Sequence, residues 1–222
     1  MIYWLDDQDI HFPDPSLSQA DGLLAIGGDL RTERLLEAYQ QGIFPWYNED
    51  SPILWYAPQE RFVLFPQEFK LSKSLKKTIQ SGKFEVKVDQ DFAQVIRFCA
   101  NMDRKDQDGT WIIQDMQEAY IRLHEAGFAH SVETWLNGEL VGGLYGIQVG
   151  QVFCGESMFS KVSDASKVAF AYLVQELNFD LIDCQIHSNH LASLGARMIP
   201  QKQYFTILQA QKIEPDAFQR KF

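Results

Sequence analysis

Two short segments concentrate the residue types that could carry chemistry. FCGESMFS (Phe153–Ser160) holds a thiol, hydroxyls and a carboxylate, and DCQ (Asp183–Gln185) sets a carboxylate beside a thiol and an amide. Asp183 and Gln185 lie two apart on a predicted strand over 181–185, so the spacing turns both side chains to one face. Such a pair either serves a reacting centre or satisfies buried polar groups at a strand end. Glu156 follows the predicted strand Val152–Cys154 and Gly155, which places a carboxylate at the sheet opening, suited to a cationic amine. Cys154 and Ser157 offer nucleophilic atoms, but GESMF is not the G-x-S-x-G elbow and no base is placed for either. Cys154 therefore reads as packing.

Metal chemistry finds no pattern. Cys184, His187 and His190 lack a fourth ligand at zinc spacing, with neither C-x-x-C nor H-E-x-x-H present, so no metal is expected. The cysteines, Cys99, Cys154 and Cys184, are odd in number and far apart, against a disulfide framework. No apolar run reaches the ~18–20 residues of a membrane span. The start, MIYWLDDQDI, is acidic and lacks a signal-peptide pattern. A soluble cytoplasmic protein with no membrane partner is the expectation.

The elements that must position these residues read as two units. Residues 1–60 are turn-rich, with FPDP (Phe12–Pro15) and GLLAIGGDL (Gly22–Leu30) as punctuation. Thr32 is placed to cap a short helix carrying Leu35, Leu36 and Tyr39, stopped by Gly42. Two aromatic segments follow, IFPWY and ILWYAP, and Pro58 with the charge switch at Arg61 suggests a boundary. Residues 61–222 read as mixed α/β. Strands are predicted at Phe62–Phe65, Phe84–Val88, His130–Trp135, Leu140–Gln148, Val152–Cys154, Leu181–Gln185 and Tyr204–Ile207. Asn137-Gly138 is a hairpin turn. Helices are predicted at 71–80, 92–100, around Met116–Leu123, and from a Ser163 or Asp164 cap to Leu177.

Charge is unevenly spread. The chain carries −10, yet residues 61–87 hold 7 bases and 2 acids, between flanks of −9 (1–60) and −9 (88–190). Lys73, Lys76 and Lys77 fall opposite Leu71, Leu75 and Ile79 on one predicted helix. A solvated helix face is the ordinary reading. The sign contrast instead favours a polyanion track over Lys70, Lys73, Lys76, Lys77 and Lys83. Trp46 and Trp111 lie beside Pro45 and Thr110 in loop-like contexts, suited either to stacking on an unpaired base or to plugging a domain interface.

An antiparallel meander, then helix, strand and helix, matches the acyltransferase fold of the acetyl-CoA-dependent N-acetyltransferases. The expected class is thus α+β: a small N-terminal domain (1–60), then a GNAT-like domain (61–222) with a mixed, mostly antiparallel sheet. The Gly-rich pyrophosphate turn of those enzymes is replaced here by KVSDASKVA, which has no glycine, so an acyl-CoA donor is disfavoured and no cofactor is expected.

GLLAIGGDL, AYQQGIFPWY, ILWYAPQER, GTWI, HSVETW, GGLYG, FCGESMFS, ASK, DCQ and HLASLGA occur in that order, from about Phe12 to Leu208. In this the chain resembles the leucyl/phenylalanyl-tRNA–protein transferase family. One departure is Gln201, where members commonly carry a basic residue after Ile-Pro. The resemblance implies transfer of Leu or Phe, with Met a further candidate, from aminoacyl-tRNA to proteins beginning with Lys or Arg, marking them for N-degron degradation. It implies that Asp183 orients Gln185 or the amine, and that Gln185 bonds the reacting centre. Glu156 would bind the donor's α-amino group or the acceptor's cation. Trp46 and Trp111 would flank the terminal adenosine, and Leu144, Phe153, Phe170 and Leu173 would form the donor side-chain pocket. Ser160 is a further hydrogen-bonding candidate for the donor, and a monomer is expected. Two other readings stand beside it. A peptidoglycan-type aminoacyltransferase usually needs a duplicated domain, for which 222 residues leave no room. A non-catalytic RNA-binding module would depend only on the lysines.

Overall fold

A computed structural model describes residues 2–102 and 112–215. The first part of the chain builds a small sheet from β1 (Tyr3–Leu5), β2 (Leu23–Gly27), β3 (Phe44–Pro45) and β4 (Leu54–Tyr56), in the order β1-β2-β4-β3. Between β2 and β3 runs α1 (Thr32–Gln40), which buries Leu35, Ala38 and Tyr39. Thr32 is the first helical residue rather than its cap; Arg31 precedes it without a capping side chain. Gly42, at φ +74°, turns the chain into β3 as expected of a helix stop. The two aromatic segments are the two strands of a pair, with Phe44 opposite Tyr56 and Pro45 opposite Trp55.

The remaining elements are β5 (Glu60–Leu64), α2 (Lys73–Gln80), β6 (Glu85–Val88), α3 (Phe92–Ala100), α4 (Gln114–Glu125), β7 (Ala129–Leu136), β8 (Glu139–Val149), β9 (Val152–Ser160), α5 (Ala165–Glu176), β10 (Leu181–Asp183), α6 (Asn189–Ser193), β11 (Arg197–Pro200) and α7 (Gln201–Gln209). They form a 7-stranded sheet in the order β11-β5-β10-β9-β8-β7-β6. β6 to β9 is the antiparallel meander, turned at Asn137 (φ +53°) and Gly138 (φ +81°) as an Asn-Gly hairpin requires. β9 then crosses through α5 to β10, which pairs with it in parallel. That is the acyltransferase order expected of this α+β chain. β5 inserts between β10 and β11, antiparallel to both.

Apolar residues on alternate strand positions feed two cores, one on each face of the sheet. Leu144 and Phe153 pack with Phe170 and Leu173 of α5, whereas Tyr145 and Cys154 pack with α3, α4 and the small sheet. The HSVETW segment contributes a fully buried acid, Glu133. Its carboxylate accepts from the Asp91 amide (2.7 Å), Ser131 Oγ (2.9 Å) and Trp135 Nε1 (3.0 Å), tying the start of α3 to β7.

Several expectations are corrected. Tyr204–Ile207 is part of helix α7, with Tyr204 and Leu208 buried four apart; a run of only four residues does not separate the two periods. The strand in that region is Arg197–Pro200 instead. β9 runs unbroken to Ser160, so Glu156 lies within a strand and not after one. β10 ends at Asp183. Asp164 does precede α5, but in a left-handed conformation (φ +69°) and without a capping hydrogen bond; its carboxylate takes Lys167 Nζ at 3.1 Å. Among the described residues no helix is long and apolar enough to cross a membrane.

Candidate active site

β9 carries the first site residue through an irregularity. Gly146 of β8 faces Gly155 and the next pair is Tyr145 with Ser157, which leaves Glu156 as an extra, unpaired residue. Such a β-bulge re-aims a side chain that would otherwise follow the pleat. It needs Gly146, because a Cβ there would run into the Cys154 carbonyl and the Phe153 ring. Glu156 thereby reaches a cavity of about 360 Å³ between the small sheet, β8–β9 and α5–α6. Leu144, Phe153, Phe170 and Leu173, the four residues expected to hold a side chain, all line it. Met158, Ile182 and Leu191 complete the apolar wall.

At the polar end, Gln185 Nε2 donates to Glu156 Oε1 at 2.7 Å and Tyr120 Oη donates to Oε2 at 3.2 Å. The Tyr120 and Tyr39 hydroxyls are themselves hydrogen-bonded. Burial raises the Glu156 pKa to about 7; hydrogen bonds from Tyr39, Gln185 and Tyr120 oppose that rise, and the nearby Asp183 charge adds to it. Both tyrosines are pushed well above their usual range, first by burial and then by Glu156 itself, so they stay neutral donors. This end of the cavity holds one carboxylate that gains or loses its charge near neutrality.

Asp183 does not line the cavity. Fully buried, it accepts from Arg61 Nε (2.8 Å) and Nη2 (2.7 Å), Tyr204 Oη (2.8 Å) and the Gln185 amide (2.9 Å). The expectation that Asp183 and Gln185 share one strand face is therefore corrected. The strand ends at Asp183, and Gln185 takes the left-handed region at φ +61°. Asp183 faces the packed interior while Gln185 turns its amide to Glu156. Contact between the two runs through the Gln185 backbone and not its side chain.

The other expected residues divide. Trp46 lines the cavity and packs at a tilt on Tyr56, with ring centres 5.7 Å apart. Trp111 lies outside the described residues. Lys70, Lys73, Lys76, Lys77 and Lys83 are all exposed, on or beside α2, and none lines the cavity. Ser160 is turned away from it: its hydroxyl donates to the Val162 carbonyl (2.8 Å) and accepts from the Ser166 amide (3.3 Å), holding the β9–α5 turn. Cys154 is buried on the opposite face, and burial raises its thiol well above the usual range, so it is no nucleophile. Gln201, the departure noted in the sequence, donates to the Ala57 (2.9 Å) and Pro15 (3.2 Å) carbonyls and joins α7 to the small sheet. Among the described residues no group of His, Cys, Asp and Glu is placed to hold a metal.

Sequence reasoning missed the partners of both carboxylates. Tyr39 and Tyr120 read as apolar helix faces, and Arg61 as one base of the lysine-rich segment. The weak signal for Arg61 is its place at the end of ILWYAPQER, three residues after Pro58 and apart from the lysine spacing.

The acyltransferase-order sheet thus carries an apolar cavity that ends on a carboxylate and an amide. Residues 63–209 match the family described as leucyl/phenylalanyl-tRNA protein transferase, and residues 28–59 match that family's N-terminal domain. The leucyl/phenylalanyl-tRNA–protein transferase of Nitrosospira multiformis is 55% identical over 208 residues, covering 92% of this chain and 89% of its own. That of Dechloromonas aromatica is 54% identical over 215 residues, covering 95% and 92%. A conserved protein of unknown function from Bacteroides thetaiotaomicron superposes with a TM-score of 0.44 at 13% identity, over 62% of this chain and 55% of its own. The chain belongs to the leucyl/phenylalanyl-tRNA–protein transferase family.

Proposed function

We propose that the chain transfers leucine or phenylalanine from aminoacyl-tRNA to the N-terminal α-amino group of proteins beginning with Lys or Arg, marking them for N-degron degradation. The observation that carries this reading is one cavity that joins an apolar hole to a carboxylate–amide end, in a chain of this family. An aminoacyl ester is already activated, so no covalent enzyme intermediate is needed. The enzyme supplies position, help with the amine proton and stabilisation of the developing oxyanion. The acceptor nitrogen attacks the ester carbonyl; the new C–N bond forms as the bond to the terminal ribose oxygen breaks. The amine loses a proton and the ribose oxygen gains one.

In this reading Leu144, Phe153, Phe170 and Leu173 enclose the donor side chain. Glu156 meets an α-amino group, whose pKa of ~7.7–8.0 is close enough for the proton to be shared. Gln185 bonds the reacting centre, and Asp183 holds the turn that presents it. Trp46 stacks on the terminal adenosine, and Trp111 has the same role on its sequence context. The lysines on and beside α2 meet tRNA phosphates, which position the tRNA without reading its sequence. Selection then rests on the amino acid in the cavity. The protein works as a monomer in the cytoplasm, with residues 1–60 and 61–222 as its two domains.

The test offers labelled Leu-tRNA with peptides that begin with Lys, Arg or Ala. Label should reach the Lys and Arg peptides and not the Ala peptide. No transfer to either basic peptide overturns the reading.

A further inference from the structure

Arg61 is buried at a junction of three parts of the molecule. It sits on β5, where alternation sends Phe62 and Leu64 to the α5 core and Arg61 toward the small sheet and α7. Its guanidinium lies between the rings of Phe44 and Tyr204, 4.8 Å and 4.7 Å from their centres. Two of its nitrogens grip both oxygens of Asp183, and Nη1 donates to the Gly42 carbonyl at 3.0 Å. Burial works against its charge, and Asp183 together with Tyr204 and Cys154 outweighs that effect, so the group stays a cation.

Each partner leads to a different site residue. Asp183 Oδ1 also takes the Gln185 amide, which fixes the left-handed turn and lets the side chain reach Glu156. Gly42 turns the chain into the short strand that Phe44 begins, and this runs into Trp46, whose own amide donates to the Leu54 carbonyl at 2.9 Å. Position 42 admits only glycine against α7, because a Cβ there would lie 2.7 Å from the Tyr204 ring. One planar fork thus links the segment that leads to Trp46 with the turn that presents Gln185.

We propose that Arg61 is a positioning residue for the transfer reaction, holding the Trp46 platform and the Gln185 amide in register through Gly42 and Asp183. This rests on the functional reading above. Lysine cannot replace it, since an ammonium is a point charge without a planar fork. The two arms separate kinetically: the Asp183 arm acts on kcat and the Gly42–Phe44 arm on KM for aminoacyl-tRNA.

The experiment is a cycle of Arg61→Lys, Asp183→Asn and the double variant, measured for kcat, KM for Leu-tRNA and affinity for uncharged tRNA. Arg61→Lys should lower kcat about tenfold and raise KM several-fold. Asp183→Asn should lower kcat alone. The double should have a kcat no lower than the worse single variant, because both changes break the same link. Should Arg61→Lys melt below the assay temperature, Arg61→Gln with Asp183→Asn takes its place, as a neutral amide pair that removes the fork without burying a lone charge; the same kcat and KM changes are expected. Losses of kcat that multiply in the double, or kcat and KM within twofold of the parent in the fork-less variants, overturn the proposal. A parent protein that transfers nothing defeats the functional reading instead, and the tRNA-affinity arm still tests Arg61.

Discussion

Glu156 and Asp183 are both buried carboxylates, and one residue, Gln185, touches each: its backbone donates to Asp183 and its side chain to Glu156. Their surroundings differ in two respects, the charge of the partner and access to the cavity. Glu156 is faced by neutral donors only, so burial carries its pKa to about 7, and it opens on the cavity. Asp183 is filled by a guanidinium fork, a phenol and an amide, and is shut away from the cavity. The lesson is that partner and access, more than the depth of burial, set two buried carboxylates apart.

Substitutions can break this contrast. The largest effect is expected from Glu156→Gln, with transfer lowered on the order of a hundredfold and melting not lowered. Its pH dependence sharpens the point. The folded pKa of about 7 lies above the ordinary 4.5, so the folded state binds the extra proton between those values. The stability that this carboxyl contributes is full below pH 4.5 and lost as pH rises through 7, a change on the order of 3 kcal/mol. Wild type should therefore lose stability relative to Glu156→Gln across that window, in urea titrations at successive pH values. Transfer by the wild type should rise over the same range, and the variant should lack that limb. A parallel stability profile in both proteins would mean that Glu156 does not titrate near neutrality.

Next comes Asp183→Ala, which strands Arg61 in the interior. Transfer at saturating tRNA should fall more than tenfold, with a melting temperature lower by roughly 10 °C and little loss of tRNA binding. Equal melting of the two carboxylate variants would erase the distinction between them. Trp46→Ala should weaken aminoacyl-tRNA binding by about tenfold, within the ~1–3 kcal/mol of one base stacked on an aromatic ring, and leave kcat nearly intact. The smallest effect is expected from Lys76→Glu with Lys77→Glu. Binding should weaken several-fold at physiological salt, and the log–log salt slope should become shallower by about 2. An unchanged slope in filter binding would detach α2 from the tRNA.

Much of the fold was legible because its signals are local. The meander strands alternate or run apolar, Asn137-Gly138 names its own turn, and α3 and α4 repeat at helical spacing. YFTI was misread because four residues fit either period, and the side that wins is set by packing on Gly42 and β5. The cavity wall was legible by motif: Leu144, Phe153, Phe170 and Leu173 do meet.

By itself the sequence determined which residue types are present, their faces on each element and the family to which the ordered motifs belong. It contained Glu156, Asp183 and Gln185, and it set the lysines on and beside α2 apart from an acidic chain. Tertiary structure alone decided which carboxylate meets the cavity. The bulge that turns Glu156 inward is a mismatch between two strands, and the fork that locks Asp183 comes from a residue 122 positions away. Local patterning carries no trace of either, because pKa and access depend on what stands across the gap in space.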